Sequence, residues 1–215
     1  MKKKALLFVC ALLASVCARA QYETPPYQPL VEEAPKEAVK QPLRVYPCYG
    51  ILGGGASLPF GGHWGDTGSG FKSSPDFIFA GAKRVDDALS YGLETSYSSG
   101  HKNKAVPDIK VRIFSFTPFL RVASPSGEKT WFGIIGAGVY HWNRQSYSAA
   151  GENFTSDSGS SLGINMGGGV VYPFWDAWQL GGDLRWHHIF NVQGDQLDVG
   201  LVNNVVPSLF LVYGF

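Results

Sequence analysis

From Tyr46 onward, apolar residues recur at every second position in eight runs, near 48–60, 76–85, 88–98, 108–123, 130–144, 160–173, 176–190 and 204–215. A period of two is the signature of a strand, whose successive side chains point to opposite faces. The clearest run is 178–190. One parity gives Trp178, Leu180, Gly182, Leu184, Trp186, His188 and Phe190; the other gives Gln179, Gly181, Asp183, Arg185 and His187. In 162–172, Leu162, Ile164, Met166, Val170 and Tyr172 oppose Gly163, Asn165, Gly167 and Gly169. In 89–97, Leu89, Tyr91, Leu93 and Tyr97 oppose Ser90, Gly92, Glu94 and Ser96. Two patterns are less regular. In 108–123, Ile109, Val111 and Ile113 take one parity while Phe114, Phe116, Pro118 and Leu120 take the other, which predicts a bulge near 113–114. Runs 48–60, 76–85 and 130–144 hold so many glycines that either parity can be the apolar face.

The breaks between runs alternate in length. Asp86-Asp87, Ser124 to Lys129 and Phe174-Trp175 are short, whereas 61–75, 99–107, 145–159 and 191–203 are longer and rich in Gly, Ser, Asn and Asp. Short turns at one end and long loops at the other are the layout of an up-and-down transmembrane barrel. The facing follows from size. Glycine and serine fit the narrow interior of a small barrel, whereas Trp and Leu at alternate positions overfill it, so the apolar faces are expected to meet lipid. Trp178 and Trp186 are eight residues apart. At about 3.3 Å per residue and a tilt near 40° that is roughly 20 Å of height, close to the spacing of two interfacial girdles. A water-soluble barrel shares the repeat but needs the reverse facing.

The first twenty residues change the compartment. Lys2, Lys3 and Lys4 precede an apolar stretch from Ala5 to Val16, too short for the roughly 20 residues of a spanning helix. Ala18-Arg19-Ala20 supplies small residues at a cleavage site, so 1–20 is expected to be a signal peptide and the mature chain to begin at Gln21. Residues 21–45 interleave five prolines with charges and predict a Pro-rich periplasmic lead-in. The domain proper is then 46–215.

Cleavage removes four basic residues and no acidic ones, turning totals of 18 Lys+Arg and 17 Asp+Glu into 14 and 17, a net charge near −3. No basic tract points to nucleic acid. Cys10 and Cys17 leave with the signal, so Cys48 has no cysteine left for an intramolecular disulfide.

The final run, from Val205 to Phe215, resembles the C-terminal signature of outer-membrane barrels. Leu209, Leu211, Tyr213 and Phe215 stand at its alternate positions. The stretch LGINMGGGVVYPFWDAWQLGGDLRWHHIF (162–190) is similar to the penultimate hairpin of small eight-stranded barrels of the outer-membrane protein A and W type, and WFGIIGAGVYHW (131–142) to the strand before it. The resemblance covers about 46–215. It implies an all-β, eight-stranded antiparallel barrel in the bacterial outer membrane, with those four residues read by the barrel assembly machinery. The peptidoglycan-binding domain that follows the barrel in A-type proteins is not expected here.

Candidate chemistry is sparse. Some small outer-membrane barrels act on lipid A, and a deacylase of this shape uses His and Ser two residues apart on a late strand. Here His187 and His188 have no serine at that spacing. A relay of His187 with Asp183 needs a nucleophile from elsewhere, such as Ser96 or Ser208. His187 and His188 point to opposite faces and form no metal site, and His63, His101 and His141 lack ligand spacing. The glycine triplets 53–55 and 167–169 are not phosphate loops, since neither carries a P-loop lysine. Glu94, Arg112, Asp183, Arg185 and His187 are instead expected to form a charge network inside the barrel, because buried charges there must be paired. The expected protein is a non-catalytic monomer with no cofactor. Its partners are outer-membrane lipid and the assembly machinery, and its role is structural or loop-mediated binding. The alternative is a narrow pore for small, even hydrophobic, solutes.

Overall fold

The computed structural model describes residues 46–124, 129–149, 151–195 and 197–215. The signal and lead-in expected over 1–45 lie outside the described residues. Ten strands and one short helix follow in chain order: β1 (Cys48–Pro59), α1 (Gly62–Gly65), β2 (Ser74–Arg84), β3 (Leu89–Lys102), β4 (Lys110–Ser124), β5 (Thr130–Arg144), β6 (Tyr147–Ala149), β7 (Glu152–Phe154), β8 (Asp157–Trp175), β9 (Trp178–Gln193) and β10 (Asp198–Gly214).

Eight of these strands close into one antiparallel barrel in the order β1-β10-β9-β8-β5-β4-β3-β2. Closure is made by β1 against β10, from Tyr49 opposite Gly214 to Pro59 opposite Asn204. It leaves no open sheet edge, the condition for a sheet to survive in hydrocarbon, where unpaired peptide groups find no water. Cys48 and Phe215 exchange backbone hydrogen bonds of 3.2 and 2.9 Å at the end that carries the short turns. β6 and β7 form a separate hairpin within the loop between β5 and β8.

The facing agrees with the alternation. Leu184 and Leu180 on β9, Leu162 and Met166 on β8, Leu93 and Tyr97 on β3, and Leu209 and Leu211 on β10 are exposed on the outer wall, while Asp183, Arg185, Asn165, Glu94 and Ser208 are buried inside. The glycine-rich strands acquire a direction too. Tyr49 and Ile51 point inward from β1, Ile78 and Ala80 from β2, and Phe132 and Ile134 from β5. Leu52, Phe77, Phe79, Trp131 and Ile135 take the lipid side.

Two expectations are corrected. β4 pairs with β3 in unbroken register from Leu89/Val122 to Ser98/Ile113, so no bulge lies at 113–114. Both parities there are apolar for different reasons: Val111 and Ile113 join an apolar cluster inside the barrel mouth, and Phe114 and Phe116 face lipid. The irregularity falls instead on β3, between Ser98 and His101. The break expected at 191–203 is also shorter, because β9 continues to Gln193 and β10 begins at Asp198. Register shifts at Asp198/Gly200 and Gly200/Val202 absorb the mismatch, with Asn191 (φ 51°) and Gly200 (φ 61°) in the left-handed region. Bulges select the same Gly and Asn residues as loops, so composition alone reads them as a loop.

Leu184 sits midway between Trp178 and Phe190 on the outer wall. Leu184→Arg is expected to lower folding stability in lipid vesicles by about 2–4 kcal/mol, whereas Leu201→Arg near the loop end costs about 0–1 kcal/mol. Reversible urea titration of the refolded barrel measures both.

Candidate functional site

The lumen is stacked in three layers along the barrel. At the turn end, Tyr49, Ile51, Ala80, Ala82, Phe119, Phe132, Ile134, Val171, Phe210 and Val212 form an apolar cluster. Gly181 is part of the fit: a Cβ there would lie 2.4 Å from Phe210 Cε2. Arg121 enters this layer with its guanidinium 3.9 Å from the Phe132 ring centre and 5.5 Å from that of Tyr49. Cation–π attraction of this kind grows as water is excluded. Tyr49 in turn shares a 2.7 Å hydrogen bond with Ser90. The cavity beside Tyr49, Arg84, Ser90 and Arg121 amounts to about 20 Å³, room for about one water molecule.

The middle layer is polar. Arg185 projects inward from β9, donates from Nη1 to Glu94 Oε2 across the lumen, and donates from Nε to Asp183 Oδ2 at 2.7 Å. Ser208 donates to the other oxygen of Asp183. The Arg185 and Glu94 side chains are only 2% and 1% exposed. Removing such ions from water costs several kcal/mol each, so only a pairing this complete makes their burial tolerable. The glycines of 167–169 have a part in it. Gly167 and Gly169 lie opposite Arg185 and Asp183 in register, and a Cβ on either would fall within 3.0 Å of those side chains. Around the ion pair, Ser98 donates to Asp76 at 2.6 Å, and Ser96 and Ser115 share a bond of 2.7 Å. Asn165 reaches Thr117 at 3.3 Å.

Of the five residues expected in a charge network, Glu94, Asp183 and Arg185 come together. His187 shares their face, but its Nδ1 lies 3.0 Å from the Tyr140 hydroxyl, with the rings edge to face. Arg112 does not join them. It lies on the outward parity of β4, opposite Asn143 and two residues from lipid-facing Phe114. The inward arginine of that strand is Arg121, in line with Ser115 and Thr117. Reading β4 from the Phe114–Leu120 alternation, rather than from Ile109–Ile113, finds it. Asp76 was hidden by the end of its run.

At the loop end, segment 60–73 folds back into the barrel mouth. Trp64 from α1 is fully buried, donates from Nε1 to Asn204 at 2.8 Å, and stacks on Phe71 with ring centres 4.2 Å apart. Val111, Ile113, Tyr140, Trp142, Ile189, Val192, Leu197 and Val202 complete this third, apolar layer. No periodicity signals Trp64, because it acts from a loop.

Loop 60–73 is tied to its neighbour. Lys104 bonds Gly70 through its amide (2.8 Å) and the Asp66 carbonyl through Nζ (2.5 Å), and Asn103 bonds Ser69 at 2.7 Å. The Asp66 carboxylate accepts the amide and hydroxyl of Ser69 and the amide of Gly68, and these bonds hold its pKa down at about 2, from an ordinary 3.8.

This is the architecture of an integral outer-membrane β-barrel: closed, apolar outside, with short turns at one end and ordered loops at the other. Residues 41–204 match the outer membrane protein beta-barrel domain, and the chain belongs to that family. Its fold is similar to the crystal structure of Neisserial surface protein A, at 14% identity and a TM-score of 0.53, covering 78% of this chain and 97% of that one. It is also similar to the outer membrane protein OprG from Pseudomonas aeruginosa, at 14% identity and a TM-score of 0.48, covering 79% and 96%. No curated protein matches the sequence.

Arg185→Met, which strands Glu94 and Asp183, is expected to cost about 3–5 kcal/mol in vesicle refolding titrations. Replacing all three with apolar residues is expected to cost less than that single change. The lowered pKa of Asp66 means its bonds stabilise the loop fully above the ordinary value near 3.8 and are lost as pH falls through about 2. Carboxyl carbon NMR of the refolded barrel is expected to show Asp66 titrating near that lower value.

Proposed function

We propose that this chain is a non-catalytic outer-membrane protein whose closed barrel serves as a rigid, structural support or presents its loops for surface binding. The observation that carries this reading is the filled lumen: two apolar layers enclose the Arg185 ion pair, and Trp64 occupies the mouth. Rigid scaffolds with ordered loops are where binding functions concentrate. The loop end fits that description, with Tyr147 and Phe154 stacked at 4.7 Å across the β6–β7 hairpin and Arg144 over Tyr147 at 5.0 Å.

The hydrogen bonds support a non-catalytic role. Ser208 is engaged with Asp183, Ser96 with Ser115, and His187 with Tyr140. Among the described residues neither of those two serines bonds an imidazole; Ser160 does, 3.1 Å from His141 Nδ1, but that pair stands exposed on the outer wall, away from the Asp183 carboxylate.

The same reading includes export by a cleaved signal over 1–20, a periplasmic tether over 21–45 and a monomeric barrel from 46 onward. It also includes recognition of Leu209, Leu211, Tyr213 and Phe215 by the assembly machinery. Those four side chains stand on the outer wall of β10 and the residue after it, with the Tyr213 ring 4.7 Å from Trp178 and 6.1 Å from Phe215.

Planar-bilayer recording of the refolded protein separates a closed barrel from a narrow pore. No step conductance is expected, and reproducible unitary steps would overturn the closed reading. Lipid A mass spectra from cells with and without the chain are expected to coincide.

A further inference from the structure

At the loop end of β3 and β4 the outward face turns from apolar to cationic. Arg112 points outward there, and the register sets Lys102 directly opposite Lys110, on the same face as Arg112 and one pleat beyond it. Like charges directly opposed on one sheet face destabilise the pairing. The neighbouring strands bring no relief. Asn143 and His141 flank the cluster on β5, and Ser158 and Ser160 continue the face on β8. Among the described residues no carboxylate forms an ion pair with Lys102, Lys110 or Arg112, and Asp108, exposed in the adjoining loop, pairs with none of them. Three cations therefore share one wall without an acidic partner.

The backbone is shaped around one of them. The bulge in β3 between Ser98 and His101 contains Gly100 at φ 147°. A Cβ on Gly100 would lie 1.9 Å from Lys110 Cε and 2.8 Å from its Cγ. The stem of Lys110 therefore lies across β3 at Gly100, where a larger residue would make it move aside. A stem packed on the sheet suits a lysine at a membrane boundary, whose methylenes cover surface while the ammonium reaches the polar edge.

Height supports that boundary. Tyr97 and Phe114 are paired and exposed on this face, and Val122 is the outward residue near the turn end of β4. Eight residues of tilted strand from Val122 to Phe114 span roughly 20 Å. Arg112 lies about 5 Å higher, at the rim of an apolar band about 25 Å tall. Lipid phosphates occupy that level.

We propose that Lys102, Lys110 and Arg112 form an external site for the phosphate-bearing headgroup of an outer-leaflet lipid. The guanidinium takes phosphate oxygens in its planar fork, and the two ammonium groups neutralise the remaining charge. A lipid satisfies both halves of the geometry, because its chains lie along Phe114 and Tyr97 while its phosphate meets the cations. The inference needs only the membrane setting of the barrel, and an open or closed lumen leaves it unchanged.

The test uses the full refolded chain in uncharged maltoside micelles doped with monododecyl phosphate, with bound copies counted by native mass spectrometry. The wild-type barrel is expected to retain monododecyl phosphate. The K102Q/K110Q/R112Q variant is expected to bind it about tenfold more weakly, the loss of one good charge-assisted contact. K110Q/R112Q removes less charge and falls between the two. Lys129→Gln, which removes one positive charge at the turn end, is expected to bind as wild type. Heat-modifiable migration on detergent gels verifies that each variant is folded. Triple-variant binding within twofold of wild type overturns the site. Displacement of the lipid by inorganic phosphate at equal concentration overturns the lipid assignment, leaving a site for the free anion.

Discussion

The polar middle of this barrel is arranged around one buried arginine. Arg185 is held between Glu94 on the opposite wall and Asp183 two residues before it on its own strand. A guanidinium sealed in protein, itself ringed by lipid, has no bulk water to retreat to. Its cost is offset only if its partners are fixed in place. Ser208 holds Asp183, glycines 167 and 169 leave the space both side chains need, and apolar layers above and below keep water from competing. The ion pair and its seals depend on each other. Low dielectric strengthens the pairing and makes any unpaired charge there expensive.

The outer wall obeys a different rule. Leucines and aromatics that would be a large aggregation-prone surface in water are the solvent-matching surface of a protein in lipid. A single strand serves both solvents by alternation, which is why β9 carries Leu184 on one face and Arg185 on the other. At the rim the rule changes again, and the outward positions of β3 and β4 become Lys102, Lys110 and Arg112. Charge is thus sorted three ways: held by ion pairs, hydrogen bonds or aromatic rings in the lumen, excluded from the apolar band, and gathered without acidic partners at its edge.

Much of this is legible in the sequence because the period of two is unambiguous where one face is large and apolar and the other small or charged. That holds for β3, β8, β9 and β10, whose facing follows directly from residues such as Trp178, Leu184, Asp183 and Glu94. It fails where the interior itself becomes apolar. Ile109, Val111 and Ile113 look like a lipid face, but they seal the mouth beside Trp142 and Ile189. Taking them as lipid-facing turns Arg112 inward and hides Arg121. Glycine conceals facing differently: in β1 and β5 it occupies both parities, and only neighbours such as Phe210 and Phe132 reveal which side is full. The loop contributions were illegible for a third reason. Trp64 and its bond to Asn204 join segments 140 residues apart, and no local pattern encodes that contact.

The central claim is a membrane-embedded barrel with a filled lumen. Single spin labels scanned through residues 178–190 of the refolded protein in lipid vesicles test both halves at once. Even-numbered positions should collide freely with oxygen dissolved in the bilayer, and odd-numbered positions should be shielded from both oxygen and a water-soluble nickel chelate. Strong nickel accessibility at Asp183, Arg185 and His187 would contradict the filled lumen, and strong nickel accessibility at Leu180 and Leu184 would contradict the membrane setting itself.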